Sequence, residues 1–463
     1  MAQQSTQSSQ GLLRHLAKFA SSTDLSAPQE VLKQAKLSIL DTVGCMAAGS
    51  TAPETRRFLG AELESSEGGG LASVVGHVKK LSPAAAARVN GYAGDLFELN
   101  DLTGGHASIA VVTGALATAE AYGANGARLV ESVVVGIEVT SRVYAAYYPT
   151  MKPYEEVGIT PPGIPSTIGA AAAVSRIFGL GEEQTAEALA IAGTLAGWCP
   201  AEVIFGSGGT IKPALFGSWP ATVAMQAVAY ARAGLTGPAA LLESRIGLYA
   251  TLAKSFDPSA ILEAPRWHLS TPRRKRHACC GYIHSALDAV LALRADGVRL
   301  ADAALTEVRM PPYIIPGVSK DGPPVSPNEA RFHAEYCIAL AAEGEELIVP
   351  DHSLDFAKHM QRVATAMQRI KLVADDALTH YHQSIVRGID AGGSEIFCKR
   401  VDAPRGAPGD PMTDEEVRSK FFALTRDATV PQAQKAYVER VESLQYEADC
   451  SWLVGTFSRV EER

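Results

Sequence analysis

The sequence is short of the features that mark several large protein classes. Its 463 residues hold seven cysteines, an odd number with no Cys-x-x-Cys pair, which argues for reduced thiols and against a disulfide framework or a zinc site. No apolar run reaches the roughly eighteen residues that would span a bilayer, and the opening MAQQSTQSSQ lacks the basic and apolar parts of a secretion signal. No block of lysine and arginine offers a nucleic-acid or membrane-surface patch, and the net charge of −8 is ordinary. There is no Gly-x-Ser-x-Gly elbow and no glycine fingerprint after a strand, which removes the usual hydrolase and dinucleotide readings. The expectation is a soluble cytoplasmic protein that binds neither nucleic acid nor membrane.

What the chain has in quantity is small apolar side chains. At 47% apolar it can bury a large core. After the polar leader, Ser26-Ala27-Pro28 is read as the cap of an amphipathic helix carrying Val31, Leu32, Ala35, Ile39 and Val43 and ending at Gly49. Further helices are predicted from Ser82-Pro83 onward, over Ala110 to Tyr122, Ala127 to Tyr148, Thr167 to Phe178 and Glu183 to Trp198. Their richness in Ala and Gly suits close packing and burial on more than one face. From about Pro265 the pattern changes to short strands at Leu305 to Met310, Arg369 to Val373, Ser384 to Ile389 and Glu395 to Val401. The last two are joined by the hairpin signal Asp390-Ala-Gly-Gly, and helices are expected at Ile283 to Arg294 and Ser326 to Ala342. Helix returns at Thr413 to Ala423 and Val430 to Leu444. The fold class expected is mostly α with an α+β part: a large all-helical domain from residues 1–264 and 406–463, and a smaller α/β lid domain from 265–405.

The chain is organised around Asn90 to Glu120, where Glu98, Asn100, Asp101, Gly104, Gly105 and His106 are crowded between two Ala-rich helices. A polar loop held by apolar helices presents ionisable groups to a cleft, making Glu98, Asp101 and His106 candidate site residues. The plainer alternative is that the acids cap one helix and His106 starts the next. Lys212, between Ile211 and Pro213 after a glycine-rich turn, is read as pointing into a pocket; no Ser or Thr follows it as a Walker A loop requires. In Arg273-Arg-Lys-Arg-His-Ala-Cys-Cys-Gly-Tyr-Ile-His284, Arg273 and Arg274 are read as a solvated face, whereas Lys275, Arg276, His277 and His284 are drawn toward a buried edge. Such a cationic edge suits a substrate with several carboxylates. Tyr313 could supply a phenol to the same cleft, or simply end a strand.

Taken in order, these stretches resemble the MmgE/PrpD family, which includes 2-methylcitrate dehydratase, cis-aconitate decarboxylase and iminodisuccinate epimerase. The resemblance rests on Leu40-Asp-Thr-Val-Gly, Asn90-Gly with the acidic loop and His106-Ala-Ser, Lys212, Lys275-Arg-His-Ala-Cys-Cys-Gly-Tyr-Ile-His284, Ser326-Pro-Asn-Glu-Ala-Arg-Phe-His and Pro408-Gly-Asp-Pro-Met. It implies a helical domain made from both chain ends, an α/β lid, a homodimer and no cofactor. Glu98, Asp101, His106, Lys212, Lys275 and His284 fall on the family's site positions. The chain departs from the pattern at Glu98 and Asn100, where aspartates are usual, and at Leu102, where Thr is common. Thr160, Phe216 and Cys280 each stand where a histidine is found.

The expected reaction is that of a lyase of the dehydratase type. A proton is taken next to a carboxylate of a small polycarboxylate, such as a 2-methylcitrate-like acid, and a β-hydroxyl leaves. His106 or Lys212 is the base, Glu98 or Asp101 holds His106 or protonates the leaving group, and Lys275, Arg276, His277, His284 and Thr160 bind the substrate. The alternatives are an epimerase that uses His106 and Lys212 from opposite faces, a cis-aconitate-type decarboxylase, and a non-catalytic anion-binding relative.

Overall fold

The computed structural model describes residues 11–65, 70–160, 162–205, 209–263 and 267–458. The leader at 1–10, the glycine-rich lead to Lys212 at 206–208 and the boundary expected at 264–265 lie outside the described residues.

One large core is formed by the helices Leu12–Ser21, Gln29–Ser50, Ala107–Tyr122, Gly126–Ala145, Gly163–Phe178, Glu182–Leu195 and Trp219–Arg232, joined by Val417, Phe421, Tyr437 and Leu453 from the far end of the chain. Ala107–Tyr122 is buried without a break from Ala107 to Ala119 because it has no polar face, and it lies in the middle of the bundle. Small residues let backbones touch. Gly136 and Gly169 meet back to back, and a methyl added to Gly169 would strike the Gly136 carbonyl and the Thr140 hydroxyl. A two-stranded ribbon, β1 (Ala72–Val74) and β2 (His77–Leu81), lies on this part.

A second core runs from Cys279 to Val386 around a sheet of β3 (Leu305–Met310), β4 (Ile370–Ala374), β5 (Ser384–Ile389) and β6 (Glu395–Val401). The order is β4-β3-β5-β6, with β3 and β4 parallel and the other pairs antiparallel. Burial alternates along β3 and β5, so one face packs on the helices His284–Ala295 and Ala334–Ala342. The hairpin forms as predicted: Asp390 Oδ1 accepts from the amides of Gly392 and Ser394 at 2.8 Å each, and Gly393 takes φ +87°. The molecule is thus mostly α with an α+β part. Among the described residues no helix is long and apolar enough to cross a membrane.

Local chemistry corrects the sequence reading in three places. Ser26 does not cap the first long helix; it sits at φ +47° and the helix begins after Pro28. The continuous helix expected over Ser326 to Ala342 is two, Pro327–Arg331 and Ala334–Ala342, because the His333 ring accepts the Tyr336 amide and caps a new start. Helices Leu12–Ser21, Pro53–Ser65, Trp219–Arg232 and Phe356–Met367 and the β1/β2 ribbon lie outside the elements that the sequence pattern predicts.

Two packing contacts position the site. Helix Pro83–Asp95 meets the turn Ala214–Ser218 through Gly91 and Gly217, whose backbones touch so closely that either would lose the contact with a methyl group. That contact seats Lys212 beside Asp95. The segment entering the second core is stitched to the acidic loop: Leu102 N–H donates to Arg273 O at 2.7 Å, and Arg273 N–H to Thr103 Oγ1 at 3.0 Å.

Candidate active site

Asp95, at the end of its helix, is fully buried and organises the charged groups around it. Lys212 Nζ donates to Asp95 Oδ2 at 2.9 Å, and Asn100 Nδ2 donates to Asp95 Oδ1. The same Asn100 offers its Oδ1 to His106 Nδ1 at 2.9 Å. Because the Asp95 carboxylate can only accept, the amide must face it with nitrogen and face His106 with oxygen. That orientation puts the imidazole proton on Nδ1 and leaves Nε2 as a free base.

Glu98 closes the cluster. Its Oε2 accepts from Lys275 Nζ at 2.7 Å and its Oε1 pairs with Lys212, so one carboxylate bridges two buried ammonium groups. Two carboxylates and two ammonium groups are buried together, an arrangement that is costly to open on either side. Burial lowers the Lys212 pKa to about 8, with Lys275 adding repulsion and Asp95 opposing the shift. Burial lowers Lys275 as well. His106 is held well below the usual histidine range, first by burial and then by Lys275, so it is neutral.

The backbone is strained at the same place. Among the described residues only Ser26, Glu98 and His106 are non-glycines with positive φ, at +47°, +54° and +99°. Glycine is the residue that takes such angles without steric cost, and at Glu98 and His106 function is the reason to look for. Gly104 and Gly105, at +55° and +78°, lead the chain into His106, which opens helix Ala107–Tyr122.

An inner chamber of about 60 Å³ is lined by Glu98, His106, Thr160, Phe216, Cys280 and Phe332 together with a ring of tyrosines. Lys212 is not on its surface. It stands behind Glu98, with Nζ 4.7 Å from the Phe216 ring centre and 5.7 Å from that of Phe332. The His106 ring lies 5.2 Å from the same Phe216 ring, tilted by 31°. Outside lies a wider cleft of about 760 Å³, lined in part by Lys152, Tyr154, Lys254, Arg273, Tyr313 and His380. Tyr144, Tyr148 and Tyr154 line both spaces and form the neck between them.

The candidates from the sequence separate into groups. Glu98, His106 and Thr160 face the inner chamber, with Thr160 Oγ1 bonded to Cys199 O at 3.3 Å. Lys212 and Lys275 lie directly behind Glu98. Asp101 does not reach the chamber: it accepts from the Ser108 amide at 3.3 Å and the Ser108 hydroxyl at 2.5 Å, capping helix Ala107–Tyr122, and burial raises its pKa to about 6. Arg276 and His277 turn toward Asp288, at 4.0 and 3.7 Å, and His284 packs in the second core against Cys279 O at 3.4 Å. Tyr313 is on the outer cleft. The expectation of a solvated face at Arg273 and Arg274 is overturned: Arg274 is buried on Gln34 and Ser38, and Arg273 lines the cleft.

Sequence reasoning missed Asp95 and the tyrosine neck. Asp95 sits three positions before Glu98 at the end of an Ala/Gly helix, and Tyr144, Tyr147, Tyr148 and Tyr154 crowd one short stretch. Both were visible as local concentrations of one chemistry. Among the described residues no three His, Cys, Asp or Glu side chains converge as metal ligands.

A helical bundle with a small α/β part and a buried acid–lysine–histidine cluster between them defines the class, and comparison with known proteins identifies it. The model of the MmgE/PrpD N-terminal domain matches residues 14–261 and that of the MmgE/PrpD C-terminal domain matches residues 277–445. The chain belongs to the MmgE/PrpD family. It is similar to the cis-aconitate decarboxylase-like protein oryM of Aspergillus oryzae, 24% identical with 93% of this chain and 94% of the relative covered. Cis-aconitate decarboxylase of Aspergillus terreus is 24% identical over 90% of this chain and 89% of its own. The human cis-aconitate decarboxylase is 26% identical over 91% and 89%.

Proposed function

We propose that the protein is a lyase that moves a proton at a carbon next to a carboxylate of a small polycarboxylate and expels a β-hydroxyl, using its own side chains. The observation that carries this reading is the pairing of opposite protonation states around Asp95: a neutral His106 with Nε2 free, and a protonated Lys212 of lowered pKa. Two groups held apart in this way serve as base and acid. His106 Nε2 takes the proton from carbon. The electron pair left behind forms the carbon–carbon double bond as the C–O bond breaks, and the hydroxide departs as water. Its proton comes from Lys212 by way of Glu98, which touches the lysine and faces the chamber. Lys275 holds the second Glu98 oxygen and fixes the carboxylate between the two ammonium groups.

A second reading, decarboxylation, is favoured by the aromatic lining of the chamber and by the names of the relatives. An apolar wall destabilises a carboxylate more than the neutral CO₂ it releases, and the carbanion would then take its proton from Lys212 by way of Glu98. Epimerisation would need reprotonation from the face opposite His106, with Lys212 acting through Glu98 as the second group.

Proton NMR in D₂O with citrate, 2-methylcitrate and cis-aconitate tests the reading. Deuterium at a carbon next to a carboxylate with a new alkene, lost in His106→Gln, is the expected result. Loss of CO₂ selects the second reading, and an inverted centre selects epimerisation. No exchange with any acid at high enzyme concentration would overturn all three.

A further inference from the structure

Of the four consecutive cations Arg273 to Arg276, three are committed to groups of the protein. Arg274 bonds Gln34 and Ser38, Lys275 bonds Glu98, and Arg276 turns to Asp288. Arg273 is different. Its Nη1 donates to the Tyr381 hydroxyl at 2.9 Å, and among the described residues no carboxylate lies within ion-pair distance of it. Its backbone is clamped on both sides to the loop that leads to His106, through Leu102 and Thr103. The guanidinium lines the outer cleft and its partner Tyr381 lines the inner chamber, so Arg273 sits where the two spaces meet.

The inner chamber is narrow, at about 60 Å³, and opens past the tyrosines to the cleft of about 760 Å³. An acid whose reacting end meets Glu98 and His106 therefore extends its far end toward the cleft, past Arg273. Lys152 and Lys254 share the walls of that cleft with Arg273, against one acid, Glu155. Lys152 is already donating to the carbonyls of Ala250 and Thr251, at 2.9 and 3.1 Å, and Lys254 is exposed. A half-buried guanidinium with donors to spare is the strongest carboxylate receptor of the three, because it binds both oxygens at once and is weakly hydrated.

We propose that Arg273 is the specificity-determining anchor of the site, binding a substrate carboxylate remote from the reacting carbon at the neck between cleft and chamber. It selects di- and tricarboxylates over monocarboxylates. This inference rests on the polycarboxylate reading above and adds the group that recognises the second charge.

The test compares wild type with Arg273→Gln and Arg273→Lys, using tricarballylate, an unreactive tricarboxylate, as the calorimetric probe, and butyrate as the single-charge control. Wild type should bind tricarballylate. Arg273→Gln should lose about ten- to a hundredfold in affinity, the scale of a charge-assisted hydrogen bond, with Arg273→Lys between them because it keeps the charge and loses the fork. Butyrate binding should be weak and alike in all three. Where a turnover assay exists, KM should rise far more than kcat falls. Equal tricarballylate affinity in wild type and both variants, or no binding to wild type at millimolar concentration, overturns the inference. Arg273-dependent binding with no proton exchange on any acid would overturn the proposed reaction and leave the anchor standing.

Discussion

His106 and Asn100 share a hydrogen bond of 2.9 Å between ring Nδ1 and amide Oδ1, and the amide is in turn oriented by Asp95. An amide in this place fixes the tautomer of the imidazole without sharing its proton. In the familiar arrangement a carboxylate touches the ring and stabilises the imidazolium. Here the nearest carboxylate oxygen, Asp95 Oδ1, is 4.0 Å from Nδ1. The ring therefore stays a weak, neutral base until substrate arrives.

Replacing Asn100 by Asp should reverse that property. An anion against Nδ1 favours the charged ring, so the acid limb of the kcat/KM profile should move to higher pH than in wild type. Asn100→Ala, which frees the tautomer, should lower kcat by about tenfold to a hundredfold, a small share of what one acid/base group supplies. A pH–rate profile for both variants checks this, and an unmoved acid limb in Asn100→Asp would rule His106 out as the titrating base.

Lys212→Met should be costly to stability because it leaves Asp95 buried without its cation, while Glu98 keeps Lys275. Breaking a buried pair from one side costs on the order of 3–5 kcal/mol. Asp95→Asn removes the charge that loses its cation, so the double variant Lys212→Met/Asp95→Asn should recover part of the loss. Urea denaturation of wild type, the two single variants and the double variant measures this coupling; strictly additive effects would show that the bridge is not energetically linked.

If Lys212 delivers the proton, activity must fall as it titrates. Its pKa is lowered to about 8, so kcat should decline on the alkaline side with a midpoint near that value. The sign for stability is opposite. Between the folded value and the ordinary lysine value of about 10.5 the unfolded chain binds more protons, so this residue makes the fold more stable as pH rises through that window. Activity lost while the melting temperature holds or climbs is the expected signature, and simultaneous loss of both would point to unfolding instead.

Asp101 should behave as a structural group. Its carboxyl is raised to about 6 by burial, so the folded state binds the extra proton and its contribution is greatest below about pH 4, declining as pH rises toward 6. Asp101→Asn should remove that dependence. Asp101→Ala should cost about 1 kcal/mol, the usual size of a lost helix cap, and leave kcat within a few-fold of wild type. A hundredfold loss of turnover with an intact fold would move Asp101 into the chemistry.

Much of the architecture is legible along the chain because it depends on neighbours. Alternation in Ser384 to Ile389 and Glu395 to Val401, with Asp390 and Gly393 between them, specifies a hairpin through its own turn chemistry. Thr413 with Glu416 three positions later forms its capping box as local spacing requires. The break at His333 escaped because a histidine cap is indistinguishable in sequence from a helix-interior residue.

The site was legible by composition and not by role. That Glu98, His106, Lys212 and Lys275 belong together is readable from an acidic loop, a lone lysine and a cationic run. Which of the consecutive cations serves the protein and which is left for a ligand is not. Lys275 finds its carboxylate 177 positions away and Lys212 finds Asp95 at 117. Adjacent residues in an irregular segment diverge by the direction of each Cβ, and the strength of a charge pair is set by burial, which is a property of the packed core. The sequence by itself therefore determined most of the long helices, the strands of the four-stranded sheet and the chemical inventory of the site. Only the tertiary structure decided that Asp95 is its hub, that Asp101 is a cap, and that Arg273 faces the cleft.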